Sequence, residues 1–136
     1  MLNMDFFGPG ARFHHAGIVV KSIEKAFLNA EKTNDPIQKV SVAFFSLNGL
    51  NIELIEPADE NSPVNDSLKK GMKLLHLCYS VPDLKKALAK ARKHGLHKVS
   101  SPSPAAAFDN KNIIWVYSNT YGLFELIEEP DKTVGL

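Results

Sequence analysis

The sequence predicts an α+β fold made of one unit used twice, each copy reading as strand, helix, then further strands, with the first copy abbreviated. Three observations carry this expectation. Glu53-Leu54-Ile55-Glu56 recurs as Glu125-Leu126-Ile127-Glu128, each in a strand-like stretch that ends at a proline, Pro57 or Pro130. His15 and His76 sit in two similar strand-like stretches, and the offset of 61 that superposes them also superposes Ala26 on Ala87, Phe27 on Leu88 and Ala30 on Ala91. Apolar residues alternate, then recur at helical spacing, then alternate again within each half.

The elements follow in order. Residues 1–12 form an irregular leader. Phe13 to Val20 read as a strand that places His15, Gly17 and Val19 on one face. Ser22 is a helix N-cap before Ile23 to Glu31, whose stripe is Ile23, Phe27 and Ala30. Asn34-Asp35-Pro36 is turn chemistry that stops this helix. Gln38 to Leu47 is a second strand, and Asn48-Gly49 is a hairpin turn into the strand Leu50 to Glu56. The polar stretch 58–73 is a connector with room for one helical turn, too short to link independent domains.

In the second half, Leu74 to Val81 is a strand, Pro82-Asp83 opens a helix over Leu84 to Lys93, and Gly95 closes it. Leu96 to Ser100 supply a short strand, Ser101 to Asn112 a loop, and Ile113 to Ser118 and Leu123 to Glu128 the final two strands. An offset of 72 now places Ser118 on Ser46 and Glu125 on Glu53. His to Glu spans 38 residues in the first half and 49 in the second, and the first half has no room for a counterpart of the Leu96 to Ser100 strand. One domain over residues 13–130 results, with module one at 13–57, module two at 74–130 and a tail at 131–136.

At 136 residues the chain has room for one domain with a sizeable core. The 16 Lys plus Arg against 15 Asp plus Glu leave no global field for nucleic acid or an anionic membrane. Only Arg12 and Arg92 are arginines, which weakens a reading based on phosphate clamps. The single cysteine, Cys78, excludes an internal disulfide and fits a reducing, cytoplasmic setting. No apolar run reaches the length of a membrane span, and the start lacks the basic, long-apolar pattern of a signal peptide.

Strand alternation puts Glu53 on the same face as Ile55, and Glu125 on the same face as Ile127. A carboxylate among core residues is costly unless something pairs with it. If the halves pack about a pseudo-twofold axis, His15, Glu53, His76 and Glu125 converge. Two imidazoles and two carboxylates suit one divalent ion, with Ni, Co or Zn favoured and Mn or Fe compatible. His14 neighbours His15, but alternation sends it to the other face and the repeat matches it to Leu75. Glu56 and Glu128 turn away from the set and read as solvated strand ends, Cys78 as a small filler, and His94 and His97 as solvent-facing.

The stretches Phe13 to Ala26, Asn51 to Pro57, Leu75 to Leu84 and Gly122 to Glu128 together resemble the vicinal oxygen chelate superfamily. Within it the chain is most similar to glyoxalase I-like proteins and methylmalonyl-CoA epimerases. The resemblance implies two βαβββ modules forming a cupped mixed sheet, the glyoxalase/bleomycin resistance/dioxygenase fold, around one metal held by His15, Glu53, His76 and Glu125. It implies that Glu125 doubles as the general base, that the metal stabilises an enediolate, and that the protein is a homodimer. The activity implied first is glyoxalase I-type isomerisation of a 2-oxoaldehyde–thiol hemithioacetal. The alternatives are methylmalonyl-CoA epimerase-type proton transfer on an acyl thioester and metal-free sequestration of a ligand. Glutathione-using relatives carry an arginine four residues after the first histidine ligand; Val19 stands there in this chain.

Overall fold

In the computed structural model, which describes residues 1–27 and 29–130, the two halves share one continuous mixed sheet. The first half comprises β1 (Arg12–Val19), α1 (Ile23–Ala26), β2 (Thr33–Asp35), β3 (Val40–Leu47) and β4 (Leu50–Pro57). After α2 (Val64–Lys69) in the connector, the second comprises β5 (Leu74–Val81), α3 (Leu84–Arg92), β6 (His97–Lys98), β7 (Ser103–Ala105), a 3-10 turn at Ala106–Phe108, β8 (Lys111–Ser118) and β9 (Gly122–Glu128). The strand order is β2-β3-β4-β1-β5-β9-β8-β6, with β7 also on β8. Each half runs its first strand parallel to its last, β1 to β4 and β5 to β9. The halves join where β1 and β5 pair antiparallel at the centre. The tail expected at 131–136 lies outside the described residues.

Alternation sorts side chains between two faces. On the convex face, Ile52 and Leu54 of β4 pack with Ile23 of α1, and Phe124 and Leu126 of β9 pack with Leu84, Ala87 and Ala91 of α3. The concave face carries Glu53, Ile55, Glu125 and Ile127. Residues 1–11 precede β1 without a helix or strand, but they belong to the core. Phe7 is buried with Leu84 and Phe124, the Phe6 ring lies 5.0 Å from that of His94, and Asp5 pairs with Lys90 at 2.9 Å. Among the described residues no helix is long and apolar enough to cross a membrane.

Four expectations are corrected. The first helix ends at Ala26, not Glu31, because Phe27 adopts extended dihedrals (φ −146°, ψ 92°) and its ring packs 5.9 Å from Phe45. The strand that the first half was expected to lack exists as β2, and the Asp35 turn follows it, with Asp35 Oδ1 accepting from the backbone N–H groups of Ile37 and Gln38. The abbreviation lies instead in the helix, 4 residues against 9, and, among the described residues, in the want of a counterpart to β7 and the 3-10 turn. The second hairpin turns over three residues between Ser118 and Gly122, where the first turns over two between Leu47 and Leu50. Tyr117, rather than Ser118, therefore matches Ser46, and Trp115 faces Glu125 as Phe44 faces Glu53.

The fourth correction concerns the last residue of each repeated tetrapeptide. Glu56 Oε2 accepts from the Ile23 N–H at 2.8 Å, and Glu128 Oε2 accepts from the Leu84 N–H at 2.9 Å. Neither is a solvated strand end; each caps the first turn of its own half's helix, beside Ser22 and Asp83. A carboxylate there satisfies a free N–H and complements the helix dipole. Glu128→Ala is expected to lower the unfolding free energy by about 1–2 kcal/mol, with Glu128→Gln losing roughly half as much, in urea titrations.

Candidate metal centre

The seam between the halves assembles the four expected residues. Across β1 and β5, Gly17 stands opposite His76 and His15 opposite Cys78. Gly17 also registers with Glu53 on β4, and Cys78 with Glu125 on β9. One pseudo-symmetric pattern thus delivers a histidine and a glutamate from each half to one point, within a single chain. His15 Nε2 lies 3.2 Å from His76 Nε2, 3.4 Å from Glu53 Oε1 and 3.2 Å from Glu125 Oε1. His76 Nε2 lies 3.5 Å from Glu53 Oε1 and 3.4 Å from Glu125 Oε1.

All four residues are at least 95% buried. Burying two carboxylates together is unfavourable without a cation. Glu125 Oε1 is left with no hydrogen-bond partner of good geometry, and one donor atom from each of the four residues falls within a 4.8 Å cluster. Separations of 3.2–3.5 Å are what neighbouring donors show around one divalent ion with bonds of about 2.0–2.2 Å. The residues therefore fit a divalent metal, and the borderline character of two imidazoles with two carboxylates suits Ni, Co, Zn, Mn or Fe.

Without the ion the cluster holds protons. Burial alone would depress the His15 imidazole, but close pairing with the Glu125 and Glu53 carboxylates overrides it and raises the group to about 9. Burial alone would raise Glu125, but its close pairing with both imidazoles outweighs burial and holds it below the ordinary carboxylate range, whereas burial and then repulsion from Glu125 push Glu53 up. A raised histidine adds stability in full below its unfolded value of 6.5, and that contribution disappears as pH rises through about 9. Metal-free protein is accordingly expected to lose up to about 3 kcal/mol of unfolding free energy between roughly pH 6.5 and 9.5, measured by denaturant titration in chelator.

Gly17 is the least dispensable neighbour. A Cβ there would fall 2.6 Å from His76 Nδ1 and 2.8 Å from Nε2, so the imidazole occupies the space a side chain would need. Aromatic rings, unforeseen from the sequence, wall the site. Phe44 lies edge-on to His15 at 5.5 Å, Trp115 edge-on to His76 at 4.8 Å, and Phe108 stacks on His15 at 5.6 Å. Phe44 and Trp115 are the cross-strand partners of Glu53 and Glu125, a signal present in the hairpins once the three-residue turn is recognised.

His14 departs from its expected place. A bulge between Phe13 and His15 breaks the β1–β5 ladder and turns His14 to the site side, with its Nδ1 2.8 Å from His15 Nδ1. Burial, then the charge of His15, holds His14 below the ordinary histidine range. Cys78 is fully buried beside Ala105, Ile113 and Ile127, and burial followed by the charge of Glu125 keeps its thiol protonated, as befits a filler. His97 is exposed, whereas His94 is half-buried on Phe6.

Above Glu53, His76 and Glu125 opens a cup of about 340 Å³, lined mainly by Val40, Val42, Ile55, Val64, Ile113 and Trp115, with no lysine or arginine in its wall among the described residues. Its rim is clasped across the halves. Gln38 donates to Ser103 Oγ at 3.2 Å and accepts from Trp115 Nε1 at 3.3 Å, and Asp35 Oδ2 accepts from the Ala106 N–H at 3.4 Å.

Two pseudo-symmetric modules joined in one cupped sheet, with a His/Glu quartet on its floor, define a class of protein. The family model of the glyoxalase/bleomycin resistance protein/dioxygenase superfamily matches residues 14–114, and the chain belongs to that superfamily. It is 26% identical over 121 residues to the ethylmalonyl-CoA/methylmalonyl-CoA epimerase of Cereibacter sphaeroides, covering 81% of this chain and 90% of that protein. An uncharacterised Bacillus subtilis protein is 40% identical over 80 residues, 50% of this chain and 56% of that one. Among solved structures, methylmalonyl-CoA epimerase from Mycobacterium tuberculosis superposes with a TM-score of 0.73 at 21% identity, over 100% of this chain and 97% of that one. A hypothetical protein from Bacillus halodurans superposes with a TM-score of 0.74 at 24% identity, over 90% and 97%. These superpositions establish the fold.

Proposed function

We propose that this chain is a metal-dependent enzyme that moves a proton on the carbon next to a thioester carbonyl, epimerising a 2-substituted acyl thioester. The observation that carries the reading is the pair of buried carboxylates, one from each half, meeting two imidazoles on the floor of an apolar cup. The sequence relationship to an acyl-CoA epimerase supports the thioester substrate over the hemithioacetal expected first.

His15, Glu53, His76 and Glu125 would hold the ion, which when bound supplies Lewis-acid polarisation of neighbouring substrate oxygens. Glu125 takes the carbon-bound proton. Glu53, its counterpart from the other half, is the carboxylate available to return a proton. Phe108 and Trp115 wall the cup and orient the acyl group by shape. A cup of about 340 Å³ accommodates an acyl group and its carbonyl but leaves a nucleotide tail outside. With no cation in the wall among the described residues, a substrate carboxylate would find its counter-charge at the ion.

Protein reconstituted with cobalt, nickel or zinc and incubated in D2O with methylmalonyl- or ethylmalonyl-CoA tests this directly. Deuterium at C2, followed by NMR, is expected. Turnover confined to the methylglyoxal–glutathione adduct would assign glyoxalase I-type isomerisation instead, and binding without exchange of either would assign a sequestering protein.

A further inference from the structure

We propose that His14 is a positioning residue that fixes the tautomer of His15, so that His15 always presents Nε2 to the cup. The proposal deepens the metal-centre reading and rests on it for its role in the site. Two chemically identical atoms, His14 Nδ1 and His15 Nδ1, stand 2.8 Å apart, so one must carry a proton and the other must not. His15 Nε2 faces Glu53, Glu125 and His76, where a metal needs its lone pair. The His15 proton therefore sits on Nδ1 and is donated to His14.

The assignment propagates outward. With Nδ1 accepting, the His14 proton lies on Nε2, 3.6 Å from Glu129 Oε1, an electrostatic pairing rather than a full hydrogen bond. Glu129 Oε2 is in turn 3.4 Å from Lys111 Nζ. The row His15, His14, Glu129, Lys111 thus has one polarity from the buried floor to the half-exposed rim. Phe108 lies edge-on to His14 at 5.1 Å and stacks on His15, keeping the two rings in register. The other histidine is held differently. His76 Nδ1 is buried with no hydrogen-bond partner, and its ring is fixed by the Gly17 backbone and the Trp115 edge. Among the described residues, then, only one of the two imidazoles has a hydrogen-bond partner at Nδ1. The bulge that brings His14 round is what permits this.

Two readouts test the inference. In 15N-histidine-labelled protein, imidazole NMR is expected to show His14 with a bare Nδ1 and a protonated Nε2, metal-free and zinc-loaded alike; a proton on His14 Nδ1 overturns the proposal. In chelator competition, His14→Phe is expected to weaken zinc and cobalt about 10–100-fold and to alter the visible spectrum of the cobalt form. His14→Gln, which restores an acceptor, is expected to stay within about threefold of the parent. Equal affinities for the parent and His14→Phe would overturn the role. Should the parent bind no metal, the metal-centre reading fails while the tautomer spectrum still decides for or against His14. Should His14→Phe fail to fold, that spectrum and the His14→Gln affinity decide.

Discussion

Glu125→Gln is expected to cut solvent-deuterium exchange into the substrate by about 100- to 10,000-fold while leaving the fold and most substrate binding in place. The amide keeps the size of the side chain and one oxygen that can still face the ion, but it cannot accept the carbon-bound proton. Loss should therefore appear in kcat, with KM changed little. Glu53→Gln makes the control, because it alters the matching position of the other half with the same loss of charge. A smaller kcat effect from Glu53→Gln is expected. Full exchange by Glu125→Gln together with an inactive Glu53→Gln would move the base to the first half.

The second large effect is expected from a single methyl group. Gly17→Ala places a Cβ where the His76 ring lies, against an imidazole already enclosed by Trp115. Backbone at the centre of a sheet, paired on both sides with β4 and β5, does not yield easily, so the ring must move. Overpacking of this kind costs about 1–3 kcal/mol, and metal affinity should fall at least about 10–100-fold as His76 leaves its place. Cys78→Ala at the pseudo-equivalent position removes a buried sulfur without forcing anything to shift. It should cost no more than about 1–2 kcal/mol and leave metal binding near the parent level. Unfolding titrations and chelator competition on both variants separate the steric effect from loss of a nearby polar group. A Gly17→Ala protein with parental metal affinity would show that His76 is not a ligand.

Much of the architecture was legible because it was written twice. The paired tetrapeptides and paired histidine strands gave both modules, and strand alternation gave the faces on which His15, Glu53, His76 and Glu125 meet. What escaped was local. Helical spacing ran on through Phe27 and Ala30, but the dihedrals at Phe27 depart from helix while its ring packs on Phe45, a tertiary contact with no signature in periodicity. Asp35 was read as a turn residue and is one, yet it ends a strand rather than a helix, because side chain-to-backbone bonds look alike in both settings. His14 was assigned to the wrong face because alternation assumes an unbroken ladder, and a bulge leaves no mark in composition. In sequence Glu56 and Glu128 look solvent-facing, because a carboxylate that caps a helix distant in sequence looks the same as one that faces water. Phe44 and Trp115 were hidden by one extra residue in a turn.

The central pairing of β1 with β5 has a consequence for how the molecule is made. Its contacts join residues some 60 positions apart, and each flanking parallel pair also closes a long loop before gaining anything from it. Chains stalled with one half formed would hold one histidine and one glutamate, too few to capture an ion firmly. Metal uptake therefore reports completion of folding: in a refolding time course, the cobalt spectrum should develop with the last and slowest phase, after most of the secondary structure is in place.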